Sequence, residues 1–222
     1  MRYLLAPGVS FCRVGDRLLF LDVEHDKYLC LSTAAEHSVT RLVEGGTLRD
    51  DDHDALNRLE QQGLLRRGDA SSGPLPCPAA PETVGSLLDV ELPSATLPML
   101  ASAALQLACV SLLLKTRGLA ALLAGTAKSK RRAARQSAPE AKALASVAAA
   151  FDQLSLHATA HDRCLVRSVA IARHLIRTGG RPDLVIGVKL QPFKAHCWVQ
   201  HDTWLVNDRT DVVRAFTPIL IV

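Results

Sequence analysis

Between residues 164 and 208 the spacing of apolar side chains changes once, from the helical period to the strand period. In CLVRSVAIARHLIRTGG (164–180), Leu165, Val169, Ala172 and Ile176 recur at helical spacing, and Gly179-Gly180 ends the run. The segments LVIGVKL (184–190), AHCWVQ (195–200) and TWLVND (203–208) then have strand composition. Breaks at Gln191-Pro192 and His201-Asp202 suit a meander. A helix that must bury its apolar stripe on such a sheet is an α+β arrangement.

Three chemically active side chains fall in order along that run. Cys164 opens the helix, where unpaired amides and a partial positive charge favour a thiolate. The same amides can hold the oxyanion of an acyl-transfer intermediate. Its predecessors His161, Asp162 and Arg163 are polar, whereas Cys12, Cys30, Cys109 and Cys197 lie in apolar runs like ordinary buried thiols. His196 shares a strand face with Trp198, and Cys197 points to the other face. Trp204, Val206 and Asp208 share a face of the next strand, so the hairpin can bring Asp208 to His196. Cys164, His196 and Asp208 thus fit a nucleophile, a base and an orienting acid. Asp211 is the alternative acid, beyond the strand end, and His161 is the other histidine close to the thiol.

Composition excludes several other classes. The 222 residues are 48% hydrophobic and 22% charged, as in a globular protein. Residues 1–80 carry 9 basic and 12 acidic side chains, and the remainder carries 17 and 10; this is consistent with two modules but reads first as two solvated surfaces, and it implies no nucleic-acid partner. The 6 cysteines form no CxxC pair, and no HExxH is present, which argues against a disulfide scaffold and a metal site. The first residues lack a long enough apolar stretch for a secretory signal, so a cytoplasmic location is expected. Residues 97–114 approach membrane length, but Pro98 and Gln106 interrupt them, and they read as a buried helix rather than a span.

In the first 68 residues, strands are expected at 9–14, 17–23 and 27–31. A helix follows from Ser32-Thr33 to Gly45-Gly46, with Glu36 placed for a capping box, and a second runs from about Asp51 to Gln62. Three strands then two helices make residues 1–68 a winged-helix-like module. Residues 69–92 begin with a Gly-, Ser- and Pro-rich stretch and read as a linker. Helices at about 94–124 and 138–155 open a second domain, 93–222. The basic run Lys128, Lys130, Arg131, Arg132 and Arg135 between them reads as a solvated helix end or loop.

Several of these residues also carry a resemblance. The Cys-Leu-x-Arg-Ser opening at 164–168, Ile186-Gly187-Val188, Pro192-Phe193, Ala195-His196-x-Trp198-Val199 and Asn207-Asp208 resemble the leader peptidase, or B protein, of lasso peptide biosynthesis. That resemblance implies a transglutaminase-like (papain-like) cysteine protease fold, with Cys164 as nucleophile, His196 as general base and Asp208 as orienting acid. Cys197 departs from the pattern, which has a small residue such as Ala there. LLFLDVEHDKYLCLS and EQQGLL in residues 1–80 resemble the small peptide-recognition domain of the pyrroloquinoline quinone chaperone type. By that analogy a leader peptide would add as a strand beside Lys27, Tyr28, Leu29, Cys30 and Leu31.

The resemblance further implies a lasso precursor as substrate and an asparagine synthetase-like cyclase as partner. No cofactor is expected for this chain itself, and any ATP effect would come from that cyclase. Two alternatives stay open on the residues alone: a transglutaminase or amidase acting on a side-chain amide, and a non-catalytic leader-binding chaperone.

Overall fold

Alternation from Val9 onward builds a sheet, and the computed structural model, which describes residues 2–69, 73–133, 141–155 and 164–222, shows how it is framed. Strands β1 (Arg2–Leu5), β2 (Val9–Val14), β3 (Arg17–Asp22) and β4 (Lys27–Cys30) precede helices α1 (Thr33–Val43) and α2 (Asp50–Gln61), and β5 (Leu65–Gly68) follows. Strands β2, β3 and β4 pair antiparallel in that order, with Phe11 opposite Phe20 and Leu21 opposite Tyr28. The tight turn between β2 and β3 uses Gly15 at φ 58°, a backbone region glycine enters without steric cost. The rings of Phe11 and Phe20 stack at 5.1 Å over Leu18, Val39, Leu56, Leu59 and Leu64. Each such side chain contributes about 1.5–3 kcal/mol by leaving water.

Two features of residues 1–78 differ from expectation. β1 pairs with β5, from Arg2 opposite Gly68 to Leu5 opposite Leu65, although the N-terminal RYLL shows no strand pattern of its own. Glu36 does not complete a capping box. Ser32 caps α1 through its own hydroxyl, while the buried Glu36 carboxylate accepts from Arg17 Nε at 3.0 Å and the Leu18 N–H at 3.1 Å. A buried carboxylate is retained only with such partners.

Residues 79–222 form a second compact unit. Its elements are β6 (Gly85–Ser86), α3 (Leu97–Ala133), α4 (Ala141–Ser155), α5 (Cys164–Arg177), β7 (Asp183–Lys189), β8 (Lys194–His201), β9 (Trp204–Leu205), α6 (Thr210–Val213) and β10 (Thr217–Ile221). The sheet order is β10–β7–β8–β9–β6. All pairs are antiparallel except β6 with β9, so the sheet is mixed rather than purely antiparallel. Val169, Ala170, Ala172, Leu175 and Ile176 bury α5 against α3, α4, β7 and β8. Val185, Trp198 and Leu205 form a cluster with Val213, Phe216 and Ile221.

Helix α3 departs from expectation in its length and its burial. It runs past residue 124 to Ala133, and the basic run closes it as a helix end, with Lys128, Arg131 and Arg132 exposed and Lys130 paired with Asp183 at 2.5 Å; Arg135 lies outside the described residues. Gly118, at φ 75° and ψ 175°, breaks it into two segments. The first segment is not the buried helix that its composition suggests. Ala103, Gln106 and Val110 are its buried residues, at helical spacing, whereas Leu97, Leu105 and Leu112 are exposed. Leu97–Ala133 is long and apolar enough to cross a membrane by length and composition.

Candidate active site

Cys164 is the first residue of α5, and the peptide N–H of Leu165 bonds its sulfur. That amide belongs to the first turn, where helical geometry offers it no intrahelical acceptor. The N–H of Cys197, on β8, also points at the Cys164 sulfur. The side chain of Cys197 does not take part; it is 2% exposed, beside Ser168.

His196 lies early in β8, directly across from Gly187 on β7. A Cβ at Gly187 would come within 2.6 Å of the Trp198 indole and 3.0 Å of Phe216 Cβ, so only glycine lets both aromatics close over this position. Phe216 and Trp198 flank the imidazole with ring centroids 5.1 and 6.2 Å away. They fix the ring's place. The imidazole then bonds the Cys164 thiol on one side, and its Nε2 meets Asp208 Oδ2 on the other.

Asp208 arrives there by a route that strand parity does not give. β9 ends at Leu205, so Trp204, Val206 and Asp208 do not share a strand face. Val206 N–H still donates to Val199 O at 2.9 Å, and then the Asn207 side chain takes over. Its Oδ1 accepts from Val199 N–H at 2.8 Å, where a ladder carbonyl would stand, and its Nδ2 donates to Ser168 Oγ at 2.9 Å. Ser168 in turn donates to Cys197 O at 2.7 Å, and Arg167 donates to Asn207 O. The chain is thereby freed from the sheet to turn Asp208 toward the imidazole. Asp208 Oδ1 accepts from Arg209 N–H at 2.9 Å.

The electrostatics follow from these contacts. Burial opposes a thiolate at Cys164, but the His196 bond and charge, with the amides of Cys197 and Leu165, outweigh it and hold the thiol below its ordinary range. Burial likewise opposes an imidazolium. The bonds and charges of Asp208 and Cys164 overcome it, and His196 is pushed up to about 9. Both directions favour a thiolate–imidazolium pair, which is able to attack a carbonyl carbon and deliver a proton to the departing group.

Cys164, His196 and Asp208 are therefore brought into one hydrogen-bonded line. Asp211 is not part of it; it sits exposed in the first turn of α6. His161, with Asp162 and Arg163, lies outside the described residues. Arg167 and Ser168 could have been singled out from spacing, since residues three and four beyond Cys164 share its helix face. Among the described residues no group of three or more His, Cys, Asp or Glu is arranged to hold a metal ion.

In residues 1–78, Lys27, Tyr28, Leu29 and Cys30 form β4, at one margin of the sheet. Leu31 lies past its end and is buried in the core, because it packs with Phe20 and Val39; its side chain is not available to a ligand strand. The opposite margin, β2, is engaged by the proline-flanked segment at Cys77, whose N–H donates to Phe11 O at 2.7 Å.

Comparison with known proteins adds one match. The family model of the transglutaminase-like superfamily covers residues 104–221, which include Cys164, His196 and Asp208. No curated protein and no solved structure matches the chain.

Proposed function

We propose, since this chain belongs to the transglutaminase-like superfamily, that it is a cysteine endopeptidase removing the leader from a lasso peptide precursor. The superfamily takes in cysteine proteases and acyl transferases. The observation that supports hydrolytic or acyl-transfer chemistry here is the hydrogen-bonded line of Cys164, His196 and Asp208 inside the matched region. Cys164 is the nucleophile, His196 the general acid and base, and Asp208 the residue that fixes the imidazole.

In that reading the Cys164 thiolate adds to the junction carbonyl. The oxyanion is held by amides at the start of α5. His196 gives its proton to the leaving amine, the C–N bond breaks, and the core peptide departs with a free N-terminus. The leader remains as a thioester on Cys164. Neutral His196 then takes a proton from water, hydroxide displaces the thiolate, and the leader leaves as a carboxylate. The cycle consumes one water and needs no cofactor.

The recognition of a lasso leader is supported by the resemblances in residues 1–80 and 164–208. The leader pairs as a strand beside Lys27–Cys30, at the margin of the sheet that the Cys77 segment leaves alone. Residues 1–68 form its winged-helix-like recognition domain. The freed core passes to an ATP-using, asparagine synthetase-like cyclase, and the pair works in the cytoplasm.

Incubating the full chain with a lasso precursor and weighing the products tests this. Two fragments whose masses total the precursor plus one water are expected. A precursor that changes mass with its backbone intact would point to side-chain transfer or deamidation instead. Leader capture without any mass change would leave only a binding role.

A further inference from the structure

Ser86 falls within residues 69–92, which read as a linker, yet it holds the backbone of Asp208. Its hydroxyl donates to the Asp208 carbonyl oxygen at 2.6 Å and accepts from Leu88 N–H at 3.0 Å. The residue is 1% exposed. With both functions engaged, the hydroxyl has little freedom to reorient.

The strand that carries it is firmly seated. Gly85 lies beside Trp204 and Ser86 beside Leu205, and Val84 N–H donates to Thr203 O at 2.8 Å. A Cβ at Gly85 would stand 3.0 Å from the Trp204 ring, so the strand lies flat on that indole. Upstream, the buried Gln200 donates through Nε2 to Pro81 O at 2.9 Å. The segment from Pro81 to Leu88 is thus a strap over the β9 end of the sheet.

The strap matters because the sheet stops short of the acid. Among the described residues the last backbone bond to β8 is that of Val206 to Val199, and α6 begins only at Thr210. Asn207 is fixed through its own side chain and by Arg167, but the next peptide needs another partner. Ser86 supplies it.

We propose that Ser86 is a positioning residue for the reaction, fixing the Asp208 main chain so that its carboxylate stays against His196. The inference rests on the reading that Asp208 orients the catalytic imidazole. Among the described residues, the charged and titratable groups around that ring are Cys164 from α5, Asp208 from the turn after β9, and Lys189 on β7, whose Nζ stands 5.1 Å from the centre of the Phe216 ring beside His196. Of these groups, Asp208 is the one bonded to Ser86.

The test uses the full chain with Ser86→Ala, Ser86→Thr and Ser86→Cys. His196 is titrated by NMR of its ring nitrogens, and precursor turnover is followed against pH. In Ser86→Ala the His196 midpoint is expected to fall from about 9 toward the ordinary imidazole value. kcat should drop by about 10- to 100-fold with KM within about twofold, the size expected when a reacting group is misplaced by a fraction of an ångström. Ser86→Thr, which keeps the hydroxyl, restores both readouts. If Ser86→Ala fails to fold, Ser86→Cys keeps the shape with a weaker donor and should give the same shift in smaller measure. An unchanged His196 titration in a folded Ser86→Ala or Ser86→Cys protein overturns the proposal. A wild-type His196 that titrates high in a protein that leaves the precursor uncut would instead overturn the peptidase reading and leave this one standing.

Discussion

Cys12 and Cys164 are the same side chain, each largely withdrawn from water, and they are driven in opposite directions. In residues 1–78, burial in β2 and the neighbouring Cys77 push the Cys12 thiol up to about 12. In residues 79–222, Cys164 is held below its ordinary range although burial works against it there too. Burial alone makes a thiol inert; an imidazole and two aimed amides reverse its sign. The carboxylates repeat the contrast. Glu36 and Asp52 are buried against Arg17, Ser38, Arg41 and main-chain N–H groups and hold elements together, whereas Asp208 is turned onto a ring that faces a thiol.

Substitutions at the two thiols sharpen that contrast most. Cys164→Ala should abolish precursor cleavage, a loss of at least ~10³-fold, with leader affinity by fluorescence anisotropy changed less than about twofold. Cys12→Ser and Cys197→Ala should leave kcat/KM within about threefold, since neither thiol touches the reacting atoms. A large loss at Cys197 would mean that its side chain, not only its amide, serves the site.

Asp208→Asn removes the charge that raises His196, and kcat/KM should fall by about 10²- to 10⁴-fold. The wild-type pH profile follows from the two shifts. Activity rises as Cys164 ionises, at a pH below the ordinary thiol range, and falls through about 9 as His196 loses its proton. In Asp208→Asn the alkaline limb should move to lower pH. A profile that keeps rising through pH 9 to 10 in the wild type would contradict the assignment of His196.

The smallest effect concerns the peptide-binding margin. Tyr28→Ala on β4 should weaken leader binding by about 10-fold, or 1.4 kcal/mol, and raise KM while kcat holds. Binding that survives this change, together with an equal one at Lys27, would place the leader elsewhere.

What was legible in the sequence was what is local. α1, α5, β2, β3, β7 and β8 each advertise themselves by periodicity and by the glycines or turns at their ends. The pairings of β1 with β5 and of β6 with β9 join segments about 60 and 120 residues apart, and such short segments carry no pattern until a neighbour is supplied. β10 is likewise placed by its pairing with β7. The order Cys164, His196, Asp208 was readable because a helix start and a hairpin constrain where side chains go. The turn that presents Asp208 was not, because a side-chain amide at Asn207 substitutes for the backbone there. Ser86 was hidden for a related reason: it follows a Gly-, Ser- and Pro-rich stretch in a segment too short to carry a pattern of its own, and so reads as linker. In α3, apolar composition could not say which face would find a partner.

The most direct measurement is the rate of Cys164 alkylation by iodoacetamide against pH, read by mass spectrometry of the Cys164 peptide, in the wild type and in His196→Ala. A thiolate paired with an imidazolium reacts on a plateau that begins below the ordinary thiol range, and the plateau should vanish in His196→Ala, leaving a single rise at or above the ordinary thiol range, because burial is no longer offset by the imidazole. Cys164 rising only at or above the ordinary thiol range in both proteins would contradict the ion pair.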